Sequence, residues 1–377
     1  MAKLGEVFTI ASGGTPDKRN PSYYENGTIP WVKTGDLKNQ YVPTGIDCIT
    51  EEGLNNSSAK LFPPNTVLVA MYGATIGACS ILSYEAATNQ ACAAFLPNKN
   101  VLPTYLYYFL SSKREQFVKD GVGGAQPNIS AGYLKNVQFG LIPMQQQIDI
   151  VEKLDKVEKL IALRKEQLAK LDQLVKSRFV ELFGDTPDEE KKTMADICKI
   201  ITDGTHQPPK FTSTGIPFLF VSNIVTNEIH YDAEKFISEE TYAELIKRTP
   251  IAIGDILLST VGSYGHPAVV KSDKPFCFQR HIAYLKPNAD MVNSEYLRGA
   301  ILSADVQRQI DERVKGIAQK TLNLSEIRKL QLPLPSMEQQ EQFAAFVEQT
   351  DKSKLAIQYS LNKLELLKKS LMQKYFG

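Results

Sequence analysis

The side chains of this 377-residue chain that could do covalent chemistry are poorly placed to do it. A nucleotide-modifying methyltransferase needs Asn/Asp-Pro-Pro-aromatic, whose amide and ring hold a flipped base. The nearest string, Asn20-Pro21-Ser22-Tyr23, lacks the second proline, and Pro63-Pro64 and Pro208-Pro209 run into Asn65 and Lys210. The glycine cluster DGVGG at 120–124 follows the charged helical pattern REQFVK rather than a buried strand, so it reads as a turn, not a cofactor loop. The sequence holds no GxxxxGK[ST], hence no nucleotide-hydrolysing motor. His206, His230, His266 and His281 have no metal-ligand spacing among themselves or with the cysteines. Glu51-Glu52 and Glu239-Glu240 read as solvated loop or helix-start residues. Catalysis is therefore not expected of this chain.

What the sequence does hold is a duplication. LDQLVKSRFVELFG at 171–184 returns as LELLKKSLMQKYFG at 364–377, with Leu171, Leu174, Lys176, Ser177, Phe183 and Gly184 matching residues 193 positions on. Upstream, IPWVKTGDL (29–37) pairs with IPFLFVSNI (216–224), and Gly14-Thr15 with Gly204-Thr205. NTVLVAMYGATIG (65–77) pairs with GDILLSTVGSYG (254–265), and Asn89-Gln90 with Phe278-Gln279. GAQPNIS (124–130) pairs with GIAQKTLNLS (316–325), and IPMQQQIDIVEKLD (142–155) with LPSMEQQEQFAAFVEQTD (334–351). The order is kept throughout, so the chain is two copies of one unit, each ending in the same kind of helix.

Within each copy, β-branched and aromatic runs such as TVLVAMY (66–72) and DILLST (255–260) are bounded by Gly, Pro and Asn, as strands are. Helical patterns follow at Tyr105–Lys119 and Ser294–Arg313. A strand-like run ends at Pro143 in one copy and at Pro335 in the other, and a long amphipathic helix begins after it. The fold class is α+β, without the βαβ alternation of a doubly wound sheet. Two similar globular domains alternate with two helices: 1–143, then 144–184, then 185–335, then 336–377. In the first helix Leu154, Val157, Ile161, Leu168, Leu171, Val175 and Leu182 recur at three- and four-residue steps, broken by Arg164 and Arg178. In the second, Ile357, Leu361, Leu364 and Leu371 do the same, with Lys368 interrupting. A lone stripe of this kind usually lies on its own domain. Here it outruns the globular module, carries charged outer positions and recurs, which points to the two helices pairing as an antiparallel coiled coil. An internal pseudo-twofold repeat requires the antiparallel sense.

Length and composition suit two soluble domains, each large enough for its own core. Hydrophobic content is 43% and charged content 23%. The five cysteines (Cys48, Cys79, Cys92, Cys198, Cys277) lack CxxC pairs, consistent with buried thiols in a reducing cytoplasm. The apolar run 66–82 is interrupted by Gly73 and Gly77 and is too short to cross a bilayer, so no membrane role is expected. A formal net charge of +1 gives no global signature of nucleic-acid binding, so any phosphate-binding charge must be local or supplied by a partner.

SGGTPDKRNPSYYENGTIPWVKTGDL (12–37), GATIG (73–77), NQACAAF (89–95) and the QQQIDIVEKLD helix start resemble the specificity subunit of type I restriction–modification enzymes. The resemblance covers essentially the whole chain, duplication included. The chain departs from the family in beginning almost at the first recognition domain, with little helical spacer before it. The resemblance implies a sequence-specific subunit with two target-recognition domains, each reading one half of a split target in double-stranded DNA. It implies helices that set the gap and dock two modification subunits (adenine methyltransferases), with a translocating restriction nuclease able to join. This chain itself would bind no cofactor; S-adenosylmethionine belongs to the partner methyltransferase. Base readout in the major groove uses Asn, Gln, Arg, Lys, Ser and Thr on rigid loops. The first domain offers Thr15, Lys18, Arg19, Lys33, Thr34, Thr75, Asn89 and Gln126. The second offers Thr205, His206, Gln207, Lys210, Ser222, Asn223, Ser263, Tyr264, Arg280, His281, Gln319 and Lys320. Turn chemistry alone could account for the Gly-Thr pairs, and Asn89 could be a satisfied core polar group. The domains differ most at such loops, Lys18-Arg19 standing against Gln207-Pro208, so an asymmetric target is expected. Two other readings stay open: a pseudo-dimeric scaffold bridging two proteins without DNA, and a chain that methylates by itself.

Overall fold

A computed structural model describes residues 1–122, 128–184, 187, 190–316 and 319–377. The chain divides into two units: Met1–Arg164 with Ser360–Gly377, and Lys165–Tyr359. The division cuts both long helices near their middles, so each helical segment belongs partly to each unit.

In the first unit TVLVAMY yields the strand Val67–Ala70, buried along its whole length. It lies inside a four-stranded antiparallel sheet ordered Ile10–Ser12, Cys92–Phe95, Val67–Ala70, Cys79–Ile81. Alternate side chains point to opposite faces of a strand. Val67 and Val69 therefore enter one core, with the module's helix Pro103–Ser112, while Leu68 and Ala70 enter a second. With both faces covered, the run shows no polar alternation. The second sheet orders Cys48–Ile49, Ile29–Val32, Ala86–Thr88 and Leu61–Phe62. Its central pair is parallel, Trp31 opposite Ala87 and Val32 opposite Thr88. Parallel strands finish at the same edge, which places the loops after Val32 and Thr88 side by side. A two-stranded ribbon, Ala2–Lys3 with Gln138–Phe139, closes the module.

The second unit repeats this plan. Its antiparallel sheet runs Cys198–Asp203, Ile282–Pro287, Ile256–Ser259, Pro267–Val269. Ile256 and Leu258 face the core holding helix Ser294–Ile301, and Leu257 faces the other. The smaller sheet is Phe236–Ile237, Ile216–Leu219 and Cys277–Phe278, again with a parallel pair, Phe218 opposite Cys277. Lys191–Thr193 with Gln331–Pro333 forms the ribbon. The order of elements is that expected from the sequence repeat.

The long helices are Met144–Phe183 and Met337–Phe376, 40 residues each, about 60 Å at 1.5 Å per residue. Ser336 and Gln339 cap the second reciprocally: Ser336 N donates to Gln339 Oε1 and Gln339 N donates to Ser336 Oγ. In the first unit Leu154, Val157, Ile161 and Leu361 are buried and Leu364 and Leu371 half-buried. An ion pair joins Lys368 to Glu158, so the lysine that breaks the stripe has a carboxylate on the facing helix. In the second unit Leu168, Leu171, Val175 and Ile357 are half-buried, and Lys354 Nζ lies 2.5 Å from Asp172 Oδ1. Phe183 sits 5.9 Å from Phe343, ring centre to ring centre. Within that unit numbering rises along one helix as it falls along the other, so the pairing is antiparallel. Leu182 departs from the expected seam and is 39% exposed. Phe179 and Phe183, one turn apart and both buried, fix the helix rotation and turn residue 182 outward.

The helix ends complete the module cores. Phe376 packs 5.4 Å from Tyr105 and 6.1 Å from Phe109, and its carbonyl accepts from Lys113 Nζ at 2.6 Å. Phe183, its repeat counterpart, packs 5.1 Å from Tyr296. Tyr105 and Tyr296 are themselves pinned, their hydroxyls donating to the Gly140 and Pro333 carbonyls at 3.2 and 2.6 Å. At the helix starts two fully buried glutamines do the same work. Gln147 accepts from Leu102 N (2.9 Å) and donates to the Asn100 and Ile142 carbonyls (both 2.9 Å). Gln340 accepts from Asn293 N (2.8 Å) and donates to Met291 and Pro335 carbonyls (3.1 and 2.9 Å). Each therefore fastens the first turn of a long helix to the loop before the module's own helix. Gln340→Leu keeps the volume but strands these backbone groups, at roughly 1–3 kcal/mol for each group left unsatisfied. With three groups stranded, a loss of about 3 kcal/mol or more is expected on denaturant unfolding of the full chain. Gln145→Leu, on the exposed side of the same turn type, should change stability by less than about 0.5 kcal/mol.

Candidate nucleic-acid interface

The strand ends of each module gather its loops into one cluster, and backbone hydrogen bonds hold them there. In the first unit Gly14 N donates to Thr88 O (2.9 Å), Asn89 N to Val32 O (3.0 Å) and Met71 N to Ala91 O (2.8 Å). Ile129 N then donates to Met71 O at 3.0 Å, and Trp31 Nε1 to Gly14 O at 3.0 Å. Loops 13–19, 33–36, 71–77, 89–91 and the start of 128–130 are thus one connected group. Close approach explains Gly13: a Cβ there would lie 1.9 Å from Thr88 O.

The second unit makes the same bonds with other side chains. Thr205 N donates to Phe278 O (3.2 Å), Gln279 N to Leu219 O (3.1 Å), Thr260 N to His281 O (3.0 Å) and Leu322 N to Thr260 O (2.8 Å). A Cβ on Gly204 would lie 2.2 Å from Phe278 O, so Gly204 is the counterpart of Gly13. These bonds correct the alignment read from sequence by one residue. Asn89 corresponds to Gln279 and Gln90 to Arg280, while Gly14 corresponds to Thr205. Gln90 is exposed and accepts from Thr15 Oγ1, and it was missed as a candidate because the slipped register set it opposite Gln279.

The expected residues differ in what their polar atoms are free to do. Thr15, Lys33, Thr34, Thr75 and Asn89 fall on the first cluster, with Lys18 and Arg19 further along its leading loop. Arg19 is paired with Asp17 at 2.8 Å, which holds the Asp17 carboxyl down at about 2, and Lys33 is paired with Asp47, which raises the lysine pKa. Asn89 Oδ1 accepts from Ala91 N (3.2 Å) and Thr75 Oγ1 donates to Tyr72 O (3.2 Å), both holding turns. Gln126 lies outside the described residues. In the second cluster Thr205, Gln207, Arg280, His281, Gln319 and Lys320 come together, with Ser222, Ser263 and Lys210 exposed on the adjoining loops. Thr205 Oγ1 donates to Gln207 O at 2.9 Å, and His206 Nε2 lies 3.0 Å from Asp203 Oδ2. Asn223 is spent on its own loop: it accepts from Phe220 N and donates to His230 O and Asp232 O, at 2.9, 3.0 and 3.4 Å. Asp36 plays the same capping part in the first unit, accepting from Lys33 N at 2.8 Å. Tyr264 packs against the helix-side core and donates to Asp311 at 2.9 Å. Burial, then the Arg280 charge, lowers the His281 pKa, so its imidazole is neutral at pH 7.

Thr226 Oγ1 lies 2.7 Å from His230 Nε2 on the loop after Asn223, an exposed pair. Among the described residues no group of three or more His, Cys, Asp or Glu is placed to hold a metal ion, and no helix is long and apolar enough to cross a membrane. Cys79, Cys92, Cys198 and Cys277 are free thiols that burial pushes up to about 12, far from the thiolate form. What the clusters offer is donors and acceptors on rigid loops, the chemistry of readout.

The family model described as the type I restriction modification DNA specificity domain matches residues 1–173 and again 188–366. The MjaIX type I restriction enzyme specificity subunit of Methanocaldococcus jannaschii is 25% identical over 375 residues, covering 92% of this chain and 85% of its own. Among solved structures, the type I restriction–modification system S subunit from M. genitalium superposes with a TM-score of 0.56 at 15% identity, over 100% of this chain and 95% of its own. A chain solved in work on complex assembly and conformational transition of the type I R–M system superposes with a TM-score of 0.60 at 18% identity, over 100% and 96%. With two copies of the family's domain spanning nearly its whole length, this chain belongs to the type I restriction–modification DNA specificity family.

Proposed function

We propose that each loop cluster reads one half of a bipartite, asymmetric DNA target, and that the long helices carry the contacts to modification subunits. The chain is a DNA sequence-recognition subunit; the observation that supports two unlike half-sites is the pair of clusters, built on matching backbone bonds but carrying different side chains. Thr15, Lys18 and Gln90 face one half-site, and Thr205, Gln207, Lys210, Arg280, Gln319 and Lys320 the other. Phosphate contacts fix register while base-edge contacts discriminate. Several loop cations are already neutralised by carboxylates, as in Arg19–Asp17 and Arg248–Asp203. Net phosphate attraction by the chain alone is accordingly modest, and partner subunits would supply much of the positive surface.

Partner docking is supported by apolar side chains left on the outer faces of the helices. Leu160, Leu163, Leu366 and Leu367 are exposed in the first unit, and Leu174, Val180 and Leu355 in the second. Two adenine-methylating subunits, bringing S-adenosylmethionine chemistry, are the proposed occupants, with a restriction subunit joining them in a cytoplasmic complex.

Two outcomes check this. Gly204→Ala drives a Cβ into the Phe278 carbonyl and shifts the second cluster. In a gel-shift titration it should weaken preference for the second half-site while the first is kept; Gly140→Ala, outside both clusters and with nothing within 4 Å of its Cβ, should leave both intact. Seven-residue insertions in both helices, after Arg164 and after Tyr359, preserve the apolar register and add about 10 Å of helix. Methylome sequencing should then show an unread gap longer by roughly three base pairs, at about 3.4 Å per step, with unchanged half-sites. Changed bases within a half-site would sink the idea that the helices set the gap.

A further inference from the structure

We infer that the structurally equivalent positions 90 and 280 are the asymmetric base-reading pair of this chain: Arg280 takes a guanine in one half-site and Gln90 an adenine in the other. The inference rests on the reading of the chain as a DNA-recognition subunit and adds residue and base to it.

Both residues sit at the same point of the same loop, one residue beyond the position whose N–H is bonded to the parallel strand: Asn89 N to Val32 O, and Gln279 N to Leu219 O. Arg280 N is itself tied to Thr205 O at 3.1 Å, so the Cα is fixed while the side chain is exposed. Arg19, Lys33 and Arg248, by contrast, are each paired with a carboxylate. No carboxylate among the described residues forms an ion pair with Arg280. Its Nε donates to His281 Nε2 at 3.4 Å, a long bond that orients the plane and leaves the Nη edge outward. Neutral His281 can accept there, because burial and the adjacent guanidinium both disfavour its charged form. Arg280 and His281 line an open cleft of about 280 Å³ with Thr260, Gln319, Thr321 and Asn323, wide enough to admit a base edge. A planar fork of N–H donors matches the O6 and N7 acceptors of guanine.

At the counterpart, Thr15 Oγ1 donates to Gln90 Oε1. With Oε1 accepting there, a lone pair and the whole NH2 group remain for a partner. An acceptor beside a donor is the pattern complementary to N6 and N7 of adenine.

The test is selection of duplexes from a randomised library by the assembly purified through the full-length chain, followed by sequencing. Wild type should select two half-sites, one with a guanine whose preference Arg280→Gln lowers by roughly 5- to 150-fold without altering the other half-site. Gln90→Arg should turn an adenine of the other half-site into guanine. His281, as a positioning residue, should blur the same guanine when replaced by alanine and spare it when replaced by glutamine, which keeps an acceptor. A wild-type consensus that Arg280→Gln leaves unchanged overturns this inference alone. A wild type that selects no consensus overturns the DNA-recognition reading and this inference with it.

Discussion

Everything in this chain depends on the burial of two phenylalanines at the ends of long helices. Phe183 and Phe376 each leave solvent only by entering a module core, against Tyr296 in one unit and Tyr105 in the other. Removing a buried ring of this kind costs about 3–5 kcal/mol, a large share of the stability of an ordinary domain. The first module's core is completed by a helix end from the far end of the sequence, residues 360–377, and the second's by the end of the helix that runs directly into it. The glutamines at the helix starts act in the same sense, but through hydrogen bonds, which fix orientation where apolar contact alone would allow sliding.

Each module in turn has two faces with separate duties. The central strands Val67–Ala70 and Ile256–Ser259 send alternate side chains to a helix-side core and to a core under the smaller sheet. The first core fastens the module to the helices. The second supports a parallel strand pair whose common edge carries the clustered loops. Anchoring and loop placement thus meet through the shared strands and through loop residues such as Met71, Ile129 and Leu322 that enter the helix-side cores.

Much of this was legible in the sequence. The duplication, the strands, the ribbon strands before the helices and the apolar stripe, buried from Leu154 to Ile161 and half-buried from Leu168 to Val175, all follow from period, glycine placement and order. What failed were matters of one residue or one turn. Asn89-Gln90 was paired one place out of register, because Phe278-Gln279 looks more similar than Gln279-Arg280 and only backbone bonds settle the alignment. Leu182 fits a heptad but is turned outward by its aromatic neighbours. Asn223 has the right chemistry for base readout, yet its amide is consumed in capping its own turn. Periodicity cannot distinguish a buried glutamine from a solvated one, so Gln147 and Gln340 passed as helix-start residues.

The loops are held by amide and carbonyl groups and by glycines, whereas the outward side chains at 90 and 280 support almost nothing beneath them. Substitution there would leave the loops' main-chain bonds in place, at little expense to folding. On the base-reading role proposed for these positions, a lineage could therefore drift among specificities through a connected series of well-folded intermediates. Innovation is cheap at the rim because constancy is enforced in the main chain below it.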